Sequence, residues 1–313
     1  MPPFLLEPRR AIRHAGLWAG IYLALTVATL VALLVDPRVL PSGDPVALKP
    51  LKFAISFVVH CTTLCLIGLW TRRAEAGDRW FALGIWVTLA ALLAETGPIF
   101  LQALRGVPSH FNYETAFDRA MFTIMGLGTI GLVLAALLML IGLARRPGTA
   151  PPLARAAVAL GIVVMLMGGS VGVMMVQPTV EQAAALASGL RPTTIGAHGV
   201  GSGDGPRLAL FGWSLVAGDW RVPHFIGIHG LQAMPLIAVV LLCLGRTEWQ
   251  AFGFLASIYI ALFAWSVIRT AQGKSLFLFD NATIVAICAL AAVVALAIML
   301  GVWMARRTGR LAR

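Results

Sequence analysis

The stretch RVPHFIGIHGLQAMPLIAVVLLCL (Arg221–Leu244) decides which solvent this chain is built for. Its second half is apolar throughout, and the whole is long enough to cross a hydrocarbon core of about 30 Å as a helix. Its first half carries Arg221, His224, His229 and Gln232, which hydrocarbon excludes unless they face protein or water. The segment reads as a membrane span with one polar face. Composition agrees: of 313 residues, 59% are hydrophobic and only 12% charged, with a mean hydropathy of +0.87. That is far above a soluble domain and too apolar for disorder.

Working outward, apolar runs of spanning length recur near 15–35, 51–70, 80–104, 120–144, 156–176, 223–245, 249–268 and 282–305. The expected fold class is all-α: a polytopic integral membrane bundle of eight transmembrane helices, one transmembrane domain over 1–313. Arg9, Arg10 and Arg13 before the first run resemble the start of a signal peptide. The run is too long for one and lacks a cleavage pattern, so it is expected to be retained. Most Lys and Arg fall in segments that are cytoplasmic when the N-terminus is, which orients both termini inward.

The net charge of +11 sits at helix ends in short loops, where it meets anionic membrane lipids rather than nucleic acid. Cys61, Cys65, Cys243 and Cys288 all lie inside apolar runs, which argues against a disulfide framework; Cys61 and Cys65 read as small-residue packing.

The long connection 177–222 is expected to face outward. Thr179 and Gln182 form a capping-box signature for a short surface helix. GAHGVGSGDGP (196–206) reads as a flexible loop in which His198 is solvated, and LALFGWSLVAGDW (208–220), too short to span, reads as interfacial or re-entrant.

Intramembrane polar residues are the best pointers to function. Lys49, Lys52, Ser56, His60 and Thr63 are spaced to share one helical face, as are Thr88, Glu95 and Gln102 before Arg105. His224, His229 and Gln232 fall with Arg221 within an arc of roughly 140° on a continuous helix. At about 1.5 Å per residue, His60, Glu95 and His229 reach a common depth of roughly 12 to 15 Å and are expected to share one outward-facing cavity. Pro98 and Pro235 predict irregular backbone beside it. The loop RGVPSHFNYETAFDRAMF (105–122), with His110 and Asn112, forms a rim; Thr115 or Asn112 is expected to cap the following helix, and Arg269 to pair with Asp280.

Imidazoles on facing helices are what zinc or haem b requires: His60, His224 and His229 as zinc ligands, or His60 and His229 as axial haem ligands. Glu95 then serves as general base. Lys49, Lys52, Gln102, Arg105, His110, Asn112, Arg221, Gln232 and Arg269 are the candidates for holding a lipid headgroup or another anionic small molecule. One alternative is a proton-coupled transporter or channel for an anionic solute, with Glu95 and His229 as relays; another is a membrane scaffold or assembly factor. The one-sided polar distribution and the lack of a visible repeat favour the enzyme.

KPLKF (49–53), RGVPSHFN (105–112) and RVPHFIGIHGLQ (221–232) resemble motifs of a group of uncharacterised bacterial multi-span membrane proteins, which implies a bacterial inner membrane. A looser similarity is to alkaline-ceramidase-like membrane hydrolases, which hold zinc with three histidines. It implies a catalytic role for Ser56, spaced from His60 as in that family, with Glu95 as the acid. His224 and His229 depart from the pattern, being five residues apart instead of four, which swings the second ring by roughly 100° on an ideal helix.

Overall fold

The computed structural model describes residues 7–71, 79–145, 151–201, 205–245, 249–278, 280, 281, 283–285, 287 and 288. Its helices are α1 (Pro8–Val35), α2 (Leu48–Thr71), α3 (Arg79–Arg105), α4 (Ala116–Arg145), α5 (Pro152–Val176), α6 (Val180–Ala187), α7 (Arg221–Ile228), α8 (Gly230–Cys243) and α9 (Trp249–Ala271). Among the described residues, α1 to α5 and α9 are long and apolar enough to cross a membrane, and α7 with α8 makes a seventh candidate as one bent span. The eighth run, 282–305, lies for the most part outside the described residues.

The chain divides into two compact units, one of residues 1–198 and 224–253 and one of 199–223 and 254–313. In the first, α1 packs on α2 and α3, α3 on α4, α4 on α5, and α5 and α2 on α8. The outer faces stay apolar: Leu17, Leu23, Val27, Leu34 and Val35 stand exposed along α1, and Leu127, Ile130 and Leu134 along α4. Such continuous apolar faces suit lipid, not water.

The core of this unit is lopsided. Ala11, Ile12 and Ala15 of α1, Leu64 and Ile67 of α2, Phe81, Ala82, Ile85 and Leu89 of α3, and Ala135, Ala136 and Met139 of α4 form one closely packed cluster. These lie toward the bundle end where α1 and α3 begin and α2 and α4 finish, and Tyr22, Phe57 and Leu92 extend the same cluster further along α1, α2 and α3. At this end a Cβ on Gly68 would stand 2.5 Å from Ile12 Cγ1, and one on Gly84 2.9 Å from the Ala135 carbonyl. The opposite half holds the polar stripes.

Three expectations need correction. The segment 223–245 is not one continuous helix, because α7 and α8 meet at an angle of 43° across His229. His229 leaves the helical region at φ −80°, ψ 1°, and its Nδ1 lies 2.8 Å from the Phe225 carbonyl oxygen one turn back. The two prolines do not mark the irregularity: α3 runs through Pro98 and α8 through Pro235. Residues 208–220 form no helix. They turn back through a bridge between Arg207 and Ser214 and end in β2 (Gly218–Asp219), which pairs antiparallel with β1 (Gly199–Val200). The cap expected at Thr179 and Gln182 is present, with both reciprocal bonds.

Within the second unit, the described residues include a polar knot. Asp219 binds Arg221 at 2.5 Å, and Arg221 Nη2 also donates to the Gly212 carbonyl at 2.6 Å. Arg269 is wholly buried, pairs with Asp280 at 2.7 Å as its position predicts, and donates to the Ser275 and Leu278 carbonyls. The Arg269 guanidinium holds the Asp280 carboxyl well below the usual carboxylate range.

The α5 contact with α7 and α8 rests on glycine. A Cβ at Gly168 would stand 2.3 Å from the Gly227 carbonyl carbon, and one at Gly161 2.8 Å from the Gly230 oxygen, whereas one at Gly169 meets nothing within 4 Å. Gly168→Ala must therefore push two backbones apart and is expected to cost about 1 to 3 kcal/mol of stability. Gly169→Ala should be neutral or slightly stabilising. Thermal unfolding of the two variants in detergent checks this; equal melting temperatures would refute the close contact.

Candidate functional site

The polar half of the first unit is assembled from α2, α3, α5, α7, the α7–α8 break, the 106–115 loop and the end of the 177–198 connection. Its main feature is a row of imidazoles. His198 and His224 both act electrostatically on His110, His229 on His224, and His229 again on His60. These five imidazoles therefore lie within electrostatic reach of one another in pairs. Lys49 acts on both His110 and Glu95, which places its ammonium beside the outer part of the row.

Backbone carbonyls fix the rings. His224 Nδ1 lies 2.8 Å from the Gly168 oxygen of α5, and the close approach of the α7 backbone at Gly227 and Ile228 leaves no room for a Cβ on Gly168. A carbonyl can only accept, so Nδ1 carries the proton on both His224 and His229, which sets the tautomer and leaves Nε2 as the acceptor nitrogen. The Phe225 ring stacks on His229 with centroids 4.0 Å apart. His60 differs, because its Nε2 is buried and lacks any hydrogen-bond partner.

Glu95, 6% exposed, accepts from Thr129 Oγ1 of α4 at 3.0 Å. One turn across, Tyr22 and Thr96 share a buried hydrogen bond of 2.9 Å that ties α1 to α3. Gln232 Nε2 donates to Thr63 Oγ1 at 3.3 Å and joins α8 to α2 one turn beyond His60. Ser56 is half-buried one turn before His60.

His110 stands among Phe53, Phe111 and Phe122, all with ring centroids about 6 Å away, and Ser109 Oγ lies 3.1 Å from its Nδ1. Phe111 has φ 60°, a left-handed conformation that a bulky side chain adopts only where its surroundings compel it. The compulsion comes from strand-like pairing with the long connection: Ile195 N donates to the Phe111 carbonyl at 3.1 Å and Tyr113 N to the Thr193 carbonyl at 2.8 Å. Gly196, at φ +98°, tucks in where a Cβ would stand 2.5 Å from the Met175 oxygen and 2.8 Å from Phe111. This pairing carries His198 onto Phe111, with centroids 6.1 Å apart. His198 is half-buried rather than solvated as its glycine-rich setting suggests.

Several residues expected at the site are engaged elsewhere. Gln102, wholly buried, donates to Asp118 at 2.7 Å; Arg105 binds Asp118 and Gln102, and Thr115 caps α4 through the Asp118 amide. This network closes the α3–α4 turn. Asn112 bonds the Pro108 carbonyl and the Glu114 amide and holds the rim loop in shape. Arg221 and Arg269 belong to the knot of the second unit. Lys49 and Lys52 lie half-buried on α2.

Among the described residues, no three His, Cys, Asp or Glu side chains converge as metal ligands. His60, His224 and His229 are brought into one row but not into a zinc triad, and the broken helix is the reason: His229 turns back on Phe225 instead of closing on His224. Glu95 has Thr129 as its hydrogen-bond partner, and Lys49 acts on it electrostatically. No family model, curated protein or solved structure matches the chain.

Burial, followed by Lys49, His224 and His198, holds the His110 imidazole well below its ordinary range. The folded loop thus keeps His110 neutral while an opened one takes up a proton. Loop stability is complete above about pH 6.5 and falls below it, by up to about 1.4 kcal/mol per pH unit. Amide exchange of Phe111–Thr115, corrected for intrinsic rate, should speed up severalfold between pH 7 and pH 5.5, and His110→Phe should flatten that slope. A slope unchanged by the substitution would mean that another group governs the loop.

Proposed function

We propose that this is a multi-pass protein of the bacterial inner membrane, with eight spans and both termini cytoplasmic. In this reading its histidine row is the active site of a membrane-embedded acid–base enzyme, and the substrate is a lipid or small molecule carrying an anionic group. The observation that carries the reading is where the row ends. His60 is its innermost imidazole, and beyond it α2 continues into Cys61, Leu64 and Ile67, all buried in the apolar cluster. A polar chamber closed at one end suits a reaction held away from water; a conduit needs polar groups through both halves.

The division of labour follows from position. Lys49, at the start of α2, supplies the fixed positive charge for an anionic group. Glu95, buried with one hydroxyl partner, is the general base, and the imidazoles, whose ordinary pKa lies near neutrality, move protons between it and the rim. Thr129 orients the carboxylate, and Gly168, through its carbonyl, orients His224. The three-histidine ligand set for zinc is not assembled among the described residues.

Reconstitution into phosphatidylethanolamine–phosphatidylglycerol vesicles, with mass spectrometry of the lipids and of added phosphate and carboxylate esters, tests the activity. Glu95→Gln should reduce product formation at least about 100-fold with little change in melting temperature. Accumulation of an unaltered anion inside the vesicles under a pH gradient, without product, would replace this reading with the transporter.

Orientation has its own check. A cysteine placed at Gly106 should react with an impermeant maleimide from outside the cell, and one at Arg145 only after permeabilisation. The reverse pattern would invert the topology and turn the site toward the cytoplasm.

A further inference from the structure

The innermost imidazole presents a difficulty that the proposed function does not resolve. His60 Nε2 is buried without a hydrogen-bond partner, alone in this among the described buried side-chain nitrogens and oxygens. An unsatisfied buried polar atom costs about as much as a lost hydrogen bond and normally marks a missing partner. The surroundings offer none. Thr63 Oγ1 already donates to the Val59 carbonyl at 2.8 Å and accepts from Gln232 at 3.3 Å, and His229 Nδ1 is held by Phe225. The next buried residues along α2, Cys61 and Leu64, are apolar and fully buried.

We propose that this closed end is a recognition subsite for a hydroxyl group of the substrate, held at His60 Nε2 next to His229. The inference rests on the reading of the chamber as an active site and deepens it by naming what the substrate carries at its inner end. A hydroxyl fits because it donates and accepts. It satisfies Nε2 as an acceptor if His60 carries its proton on Nδ1, and as a donor if the proton is on Nε2. A carboxylate or phosphate would serve only the protonated nitrogen, and an ammonium only the bare one. Lys49, the candidate charge for the anionic group, lies on the same helix about 16 Å away at 1.5 Å per residue. The substrate is therefore an elongated molecule with an anionic group at one end and a hydroxyl well removed from it. A site built to bond a hydroxyl rejects the analogue lacking it far more strongly than an apolar pocket separates two hydrocarbons, because the buried nitrogen is left unpaired.

The test uses the purified full-length protein in detergent and two matched series of probes, ω-hydroxyalkyl phosphates and alkyl phosphates of increasing chain length, with affinities measured calorimetrically. At one chain length the hydroxylated probe should bind at least tenfold more tightly than its methyl-ended partner. In His60→Leu that preference should disappear while the alkyl phosphate binds as before, and without any probe the variant should melt no lower than the original, since it loses an unsatisfied group. His60→Phe provides the same comparison should leucine fail to fold, and the two series on the unchanged protein decide the matter even without variants. If alkyl phosphates bind and the hydroxyl confers no advantage at any length, water alone occupies the subsite; this proposal is then overturned while the anion-binding chamber stands. If neither series binds, both readings fall together.

Discussion

Close approach of two backbones governs the first unit. Where α5 meets α7 and α8, Gly161 and Gly168 face Gly227 and Gly230 with no room for a side chain on either side. In lipid, helices gain nothing by hiding apolar surface from one another, so dispersion contacts and interhelical hydrogen bonds must hold them. Glycine permits both here. It brings the Gly168 carbonyl within reach of His224, and it lets the span break at His229 while staying packed against α5. A larger residue at either face would separate the helices and release the histidine that the contact positions.

The break has a chemical consequence. On a continuous helix, His224 and His229 would project at an angle set by their spacing and nothing else. The bend frees His229 to use the Phe225 carbonyl, and each ring then presents the same nitrogen toward the chamber. Irregular backbone in a membrane persists where its polar groups find protein partners, and here the imidazole itself is the partner. The rim shows the same economy at Phe111, whose left-handed backbone is held by pairing with residues 193–197 and in turn brings His110 and His198 together.

Charge is handled by two separate devices. The network of Gln102, Arg105, Thr115 and Asp118, and that of Arg221, Asp219, Arg269 and Asp280, close turns and satisfy one another. Glu95, His60 and His229 are not absorbed in this way. Glu95 has a single hydroxyl partner by direct hydrogen bond, and His60 Nε2 has none. That contrast separates ion pairs that satisfy one another from polar groups left with one hydrogen-bond partner or none, although both kinds look alike as polar residues in apolar segments.

Apolar run length fixed the helical class and the positions of six described helices long and apolar enough to cross a membrane, because hydrocarbon thickness demands a minimum length and no tertiary contact is needed to meet it. The cap at Thr179, the ion pair of Arg269 with Asp280 and the common face of Lys49, Ser56, His60 and Thr63 were equally legible, being local in sequence. What could not be read was anything decided between distant segments. Gly161 and Gly168 look like any other glycines until α8 is laid against them, and His198 looks solvated until residues 193–197 pair with the rim. Irregular backbone was expected at the prolines because they free carbonyls; α3 and α8 run through them, and the bend lies at His229, where α7 and α8 pack on α5. Periodicity gives the face of a helix, but only tertiary packing decides which faces meet and therefore which imidazoles become neighbours.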